Sequence, residues 1–437
     1  MLDWINQLDP NLQTDLWVIT VGAMTNTACA LLGCYLVLRR MSLLGDAISH
    51  AVLPGLVVAF VLSGSVHIVY MGLGALAVGM LTTVLIETLH RRGGVSEDAS
   101  MGVVFTSLFA LGVILIKRYG QAVDLDPDCV LNGLLELVVI NRVEVFGYDV
   151  PRALVTIAPV LLLNVVFILL FWKELLISSF DPGLADTMGL KAGLIHYLLM
   201  ALVALTTVAS FEQVGSILVV AMLIVPGATA HLLCDRLRTM MLISAAIAVA
   251  SAVLGHFAAV HFNTNTAGTM SVVVGMFYLA AVFFSPRYGI LSALLRNFRT
   301  SLRIVREDLL GMLYRLEELA VPRTLEPREA KRAVGGGWLA GLALRSLLRR
   351  GDARRDAKAL RLTDSGRRQA TRLIRSHRLW EVYLVEQLGL PLDHVHEPAE
   401  HMEHFIGRDL QEQLAAETAE TATDPHGREI PAESDSR

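Results

Sequence analysis

Nine apolar runs occupy the first two-thirds of the chain, at about 16–38, 46–64, 71–90, 100–117, 153–172, 193–210, 214–232, 239–261 and 269–286. Each has about the 20 residues that a helix needs to cross the hydrocarbon core of a bilayer. A helix satisfies its own backbone hydrogen bonds in lipid, so these runs predict an all-α polytopic membrane protein. Composition agrees: 54% of the 437 residues are hydrophobic and only 18% charged, where a soluble chain carries about a quarter charged residues. The charge is concentrated beyond the last run. The expected organisation is a transmembrane domain over 1–292, a linker over 293–300 and a soluble domain over 301–432.

Arg39-Arg40, His90-Arg91-Arg92, Lys173 and Arg236/Arg238 fall in alternate loops, which the positive-inside rule assigns to the cytoplasm. With an odd number of spans the N-terminus is expected outside and the tail in the cytosol. The acidic segment 118–152 then lies outside. The start, "MLDWINQLDPNLQTD", is acidic and polar where a cleavable signal would be basic and then apolar. Cys29, Cys34, Cys129 and Cys234 are single and lack zinc-knuckle spacing, so they read as small core residues.

Within the membrane half, "RRMSLLGDAISHAVLPG" (39–55) places Asp46 and His50 four residues apart, on one helix face, just inside the second run. A carboxylate and an imidazole at that depth are costly unless they face a partner or a wet path. Together they suit a divalent cation such as manganese or zinc; the other reading is a buried Asp–His hydrogen bond that fixes helix packing. "FDPGLADTMGLKAG" (180–193) is a polar break between two spans, bracketed by Pro182 and Gly189, and "EQVGSILVVAMLIVPGATAHLL" (212–233) has small residues and Pro226 that permit close approach or a kink.

In this order, "MSLLGDAISHAVLPG", "FDPGLADTMGL" and "VGSILVVAMLIVPGATA" resemble the membrane permeases of the manganese/zinc/iron class of bacterial ABC importers, over about residues 16–290. The resemblance implies a multi-pass protein of the bacterial cytoplasmic membrane, a second permease copy or sister permease, an external metal-binding protein and a separate ATPase. By the same likeness Asp46 and His50 lie on the metal path, and Phe180, Asp181, Pro182, Leu184, Ala185 and Gly189 belong to the coupling helix that docks on the ATPase. The chain departs from the pattern at "VDLDPDCVLNGLLELV", where the family has an aromatic-rich segment. No stretch fits GxxxxGK[ST], so the chain has no P-loop of its own and is expected to be a transport subunit rather than an enzyme.

The tail is polarised: residues 323–378 hold sixteen Lys/Arg against five Asp/Glu, and 379–436 hold two Arg against fourteen acids. "VREDLLGMLYRLEELAVP" (305–322) has helical periodicity, two short helices follow, and "GDARRDAKALRLTDSGRRQA" reads as a turn, a strand and a helix capped by Thr363 or Asp364. Three helices and a hairpin make a winged helix over 301–365. Beyond it, His377 and Glu381 are one turn apart, and Glu400, Glu403 and His404 share a helical face with His396 one turn earlier. Carboxylates plus imidazoles fit a divalent first-row metal, with a preference for harder ions; the other reading is a chance cluster on an acidic surface helix.

"LRLTDSGRRQA", "IRSHRLWEVYLVEQLG", "VHEPAEHMEHFI" and "TDPHGREIP" resemble the DtxR/MntR family of metal-responsive repressors over about 300–432. The likeness implies a principal metal site of Asp308, His377, Glu400, Glu403 and His404, with Glu381 and His396 in ancillary positions and the helices of 366–432 serving metal binding and dimerisation. Iron sensors of that family have a cysteine where this chain has Glu400, and manganese sensors a glutamate, which favours Mn(II) over Zn(II) or Fe(II). Gly311 stands where manganese sensors have a second first-helix carboxylate. The helix in the recognition position, "WLAGLALRSLLRR", offers almost no polar side chain for base edges before Arg345, so DNA binding is not favoured. The expected function is a manganese-importing permease whose tail senses the cytosolic metal. The alternatives are a membrane-tethered metal-dependent repressor, and a zinc or iron importer.

Overall fold

The computed structural model describes residues 9–41, 43–64, 68–119, 135–145, 148–319, 321, 323–356, 359–418 and 422–432. The chain divides into two compact units, Met1–Ser292 and Ala293–Arg437.

Among its described residues the first unit is helical apart from one short hairpin. Its helices are α1 (Pro10–Leu38), α2 (Leu44–Ala51), α3 (Leu53–Ser63), α4 (Ile68–Gly93) and α5 (Glu97–Tyr119), then the strands β1 (Arg142–Val145) and β2 (Tyr148–Pro151). After them come α6 (Arg152–Leu170), α7 (Trp172–Phe180), α8 (Pro182–Thr187), α9 (Ala192–Leu233), α10 (Leu237–Phe262) and α11 (Thr266–Phe284). Helices α1, α9, α10 and α11 pack as one group, and α2 to α5 as a second that meets it along α9.

In lipid, close approach replaces the hydrophobic effect as the reason helices associate, and small residues permit it. A Cβ on Gly33 of α1 would overlap the Leu223 carbonyl of α9, and Gly55 of α3 and Gly74 of α4 each leave room for the other's backbone. Buried polar pairs add direction: Asn164 of α6 donates to Thr206 Oγ1 of α9 at 2.9 Å, and Gln213 of α9 donates to Thr156 Oγ1 of α6 at 2.8 Å.

Eight helices among the described residues are long and apolar enough to span, where the sequence predicts nine. The exception is the expected run 214–232. It forms the second half of α9 together with the preceding run, and its apolar core, Leu218–Leu233, is shorter than the other eight. Gly215 has φ 74° and ψ 166°, a conformation essentially confined to glycine, and it breaks α9 into two limbs. Much of the expected segment 118–152, including Asp124, Asp126, Asp128 and Cys129, lies outside the described residues. Glu136 is described, and its Oε1 accepts from the Thr266 amide at the start of α11, at 2.6 Å.

The second unit begins within α12 (Ile290–Glu317), so residues 293–300, expected as a linker, are helical. Then come α13 (Pro327–Ala333), α14 (Gly337–Arg349), the antiparallel hairpin β3 (Ala353–Asp356) and β4 (Ala359–Leu362), α15 (Asp364–Glu386), α16 (His396–Met402) and α17 (Arg408–Glu417). Leu309, Leu310 and Leu313 of α12 pack with Leu344 and Leu347 of α14 and Leu360 and Leu362 of β4, giving a winged helix its core. Thr363 caps α15, accepting from the Gly366 amide; at Gly366 a Cβ would overlap the Asp352 carbonyl, which fixes how the hairpin meets the helix. Arg378 of α15 pairs with both oxygens of Glu318 and reaches Asp424 and the Glu429 carbonyl, tying the final segment to the helix that carries the candidate ligands.

Candidate metal centres

Helix α15 presents His377 and Glu381 one turn apart, both buried, with His377 Nε2 3.1 Å from Glu381 Oε1. His396, at the start of α16, closes this group: its Nδ1 is 3.1 Å from His377 Nε2 and 2.8 Å from Glu381 Oε1. A second group gathers where α16 ends at Met402 and the chain turns. There His404 Nε2 is 3.1 Å from Asp308 Oδ1 of α12 and 3.9 Å from Glu403 Oε1. In each group one ligand atom per residue lies within 4.8 Å of the others, as a shared cation requires.

Glu403 links the two groups. Its Oε2 lies 2.6 Å from His377 Nδ1, yet neither atom is aligned for a hydrogen bond with any described residue, and both are buried. Two such atoms would each cost about 1–3 kcal/mol if left unsatisfied. A cation held by their lone pairs resolves that cost, so the residues present fit a divalent metal.

The electrostatics agree. For His377, burial lowers the pKa, but contacts with the Glu381 and Glu403 carboxylates outweigh it and the net direction is up. For Glu381, burial raises the pKa, but His377 and His396 outweigh it and hold the carboxyl at about 2. For His404, burial again opposes the charged form, but Asp308 and Glu307 prevail and raise it to about 9. Anionic oxygens therefore collect around imidazoles that retain protons until something more positive displaces them. A cleft of about 340 Å³ reaches Glu403 and His404 from the surface.

The structure brings together Asp308, Glu403 and His404, and separately His377, Glu381 and His396. Glu400, expected at the principal site, is exposed and belongs to neither group. The cause is local: Ala399 and Glu403, one turn apart and joined by the Glu403 amide to the Ala399 carbonyl, lie on the buried face of α16, and Glu400 lies off it, exposed. Gly311 faces the core, where an added Cβ would meet Leu373 Cδ2 at 3.3 Å. Two residues were missed from the sequence. Glu307 Oε2 is 2.9 Å from His404 Nδ1, and His426 Nε2 is 3.9 Å from Glu381 Oε1. Glu307 adjoins Asp308, and His426 lies in the quoted "TDPHGREIP", so both were in view without a spacing signal.

In the membrane unit, Asp46 Oδ1 and His50 Nε2 of α2 are 3.5 Å apart, with both side chains about 40% exposed: 39% for His50 and 41% for Asp46. The Phe105 and Phe109 rings of α5 flank the imidazole at 6.0 and 5.8 Å. Two ligands with open positions can hold a cation weakly enough to pass it on. The 180–189 segment forms α8. Asp181 caps it by accepting from the Leu184 amide at 2.9 Å, Pro182 opens it, and Gly189 at φ 78° ends it. Ala185 is buried, while Phe180 and Leu184 are exposed, so a rigid short helix presents an apolar knob.

Residues 11–285 match the ABC 3 transport family, and residues 363–432 match the metal binding and dimerisation domain of iron dependent repressors. The chain is 49% identical over 282 residues to the manganese transport system membrane protein MntD of Bacillus subtilis (strain 168), covering 64% of this chain and 95% of that protein. It is 37% identical to the zinc transport system membrane protein TroD of Treponema pallidum (strain Nichols), over 80% of this chain and 96% of that one. Among solved structures, PsaBC from Streptococcus pneumoniae in complex with Fab superimposes with a TM-score of 0.54 at 31% identity, covering 66% of this chain and 98% of that one.

Proposed function

The chain belongs to the ABC 3 transport family, and from that premise we propose that it carries Mn(II) inward across the bacterial cytoplasmic membrane and that its tail senses the metal delivered. In this reading the two limbs of α9 on either side of Gly215 each count as a crossing, which restores the odd number and puts the N-terminus outside and the tail in the cytosol; a separate ATPase docks on α8, an external binding protein supplies the ion and a second permease subunit completes the pore. Zinc is the competing cargo, since relatives of both kinds are similar to this chain.

Asp46 and His50 are the residues that meet the cargo. A carboxylate and an imidazole strip part of its hydration without enclosing it, and the Phe105 and Phe109 rings flank the imidazole. The observation that carries the sensing role is the gathering of His377, Glu381 and His396 in one group and of Asp308, Glu403 and His404 in another, joined by the buried approach of His377 Nδ1 to Glu403 Oε2. Asp308, Glu403 and His404 would hold one ion and His377, Glu381 and His396 another. The two carboxylates of the Asp308, Glu403 and His404 group favour manganese there, whereas the two imidazoles of the other group suit zinc as well.

The test is metal-specific uptake by the full chain reconstituted with its ATPase. Mn(II) is expected to enter in preference to Zn(II) and Fe(II), and Asp46→Ala and His50→Ala are each expected to abolish entry while the protein remains in the membrane. Normal uptake by both variants would remove the pair from the path, and preferred entry of zinc would reassign the cargo.

A further inference from the structure

The helix in the recognition position of the winged helix carries an aromatic surface rather than a base-reading one. On α14, Trp338 is 69% exposed and Leu342 is exposed as well. The indole stacks on Phe298 of α12, with ring centroids 5.6 Å apart and planes within 6°. Leu294 and Leu295 precede Phe298 by four and three residues, so they share its face of α12, and both are exposed. Further along, the same stripe continues through Leu302 and Val305 into the winged-helix core. The stack thus joins two helices into one apolar patch whose Trp338, Leu342, Leu294 and Leu295 stay exposed among the described residues.

Charge surrounds this patch with a single sign. Residues 290–303 contain Arg296, Arg299 and Arg303, and residues 337–349 contain Arg345 and Arg349; neither stretch contains an Asp or Glu. All five arginines are exposed.

The chain reaches this patch directly from the membrane. The turn that opens α12 is held to the ends of the spanning helices: Ser285 Oγ donates to the Leu232 carbonyl at 2.5 Å, Ser292 Oγ donates to the Ser285 carbonyl at 2.6 Å, and Tyr288 donates to Asp235. Leu294 follows Ser292 by two residues and Phe298 follows it by six in the sequence.

We infer that this face of the tail docks on the anionic cytoplasmic leaflet, with Trp338, Leu342 and the Leu294–Phe298 stripe entering the boundary between headgroups and acyl chains and the five arginines meeting lipid phosphates. The inference rests on the cytosolic placement of the tail in the proposed function. Indole rings prefer that boundary, and exposed basic residues are drawn to the negative surface of the inner leaflet. A membrane-bound α14 is unable to enter a DNA groove, which explains why it has shed polar side chains while the hairpin beside it keeps the winged-helix form.

The chain has five tryptophans, so Trp4, Trp17, Trp172 and Trp380 changed to Phe leave Trp338 as the only indole. This full-length variant is reconstituted into phosphatidylglycerol vesicles with or without bromine on the acyl chains. Trp338 emission is expected to be strongly quenched by the brominated lipid, and Arg296→Glu with Arg299→Glu and Arg345→Glu should restore it. The same quantity is read without the four replacements, as the bromine quenching lost when Trp338→Phe is made in the otherwise unaltered chain. Equal emission in brominated and plain vesicles by both routes overturns the inference, as does an emission change produced by duplex DNA with Mn(II) instead of by bromine. Metal uptake by the same vesicles, with the ATPase reconstituted alongside, separates the outcomes: uptake without quenching removes the docking face and leaves the transport function standing.

Discussion

Glu403 directs one oxygen to each half of the tail site, Oε1 toward His404 and Oε2 toward His377. Its removal therefore strikes both groups at once. Glu403→Gln keeps the shape and removes the charge, and should weaken Mn(II) binding by more than the roughly 10–100-fold typical of changes one shell further out; titration calorimetry on the full chain measures it, and unchanged affinity would exclude Glu403 as a ligand. A second prediction concerns protons. The His404 pKa is raised to about 9 in the metal-free site, so the ring is charged at pH 7, and an imidazole must be neutral to ligate. Entry of a cation then expels that proton, and affinity rises as pH climbs toward 9, approaching tenfold per unit for a single proton. Glu381, held at about 2, is already ionised and contributes nothing to this slope. Binding heats measured in two buffers of different ionisation enthalpy should differ at pH 7; identical heats would mean that no proton leaves. At this scale the sequence was partly legible. His377 and Glu381 declare themselves by their spacing on an uninterrupted helix, but Glu400 does not separate from Glu403 by spacing alone, because what separates them is which face of α16 is buried, the one that carries Ala399 and Glu403. Glu307 was hidden for the opposite reason: its partner His404 is 97 residues away, and no local pattern records that encounter.

Secondary-structure elements were easier to read where a single physical force sets them. Span boundaries follow hydropathy, which acts on each helix independently, and eight of the nine expected runs match the spanning helices to within a few residues. The break in α9 follows a different rule. One glycine, Gly215, takes a backbone conformation that other residues reach only with strain, and in a run containing Gly227 and Pro226 as well, nothing in the letters marks it as the kink. Gly215→Ala should cost about 1–3 kcal/mol, visible as a lower thermal unfolding midpoint of the detergent-solubilised protein. An unchanged midpoint would show that α9 straightens there without penalty. Helix α8 is a rigid element whose outward face is apolar, with Leu184 50% exposed and Ala185 beneath it buried. Leu184→Arg leaves the Asp181 cap and the Ala185 anchor in place, so the protein should reach the membrane normally while transport-linked ATP hydrolysis falls. ATPase stimulation at the wild-type level in that variant would move the docking site elsewhere.

For the whole molecule, the change in charge density falls near the boundary between the two compact units, whereas the candidate ligand groups of the second required the fold, since Asp308 lies in the first helix of that unit and His404 near its end. Joining a metal-binding tail to a permease places a measuring site on the same chain as the path that supplies it. No continuous wire between the two is needed. If the metal-bound and metal-free tails differ in their preference for one transport state, then metal shifts that state, and by reciprocity the transport state shifts metal affinity. A coupling of about 1–3 kcal/mol changes the equilibrium some 5–150-fold, enough to slow import when the cytosolic pool is full. Glu403→Ala combined with His404→Ala removes ligands from both tail groups and leaves Asp46 and His50 intact. Initial uptake should then match the wild-type chain while steady-state cellular manganese rises, because entry no longer responds to what has accumulated. Whole-cell manganese followed over time distinguishes the alternatives. A proportional loss of both quantities would assign the tail ligands to folding or transport itself, and unchanged accumulation would leave the tail a metal-binding domain without control over import.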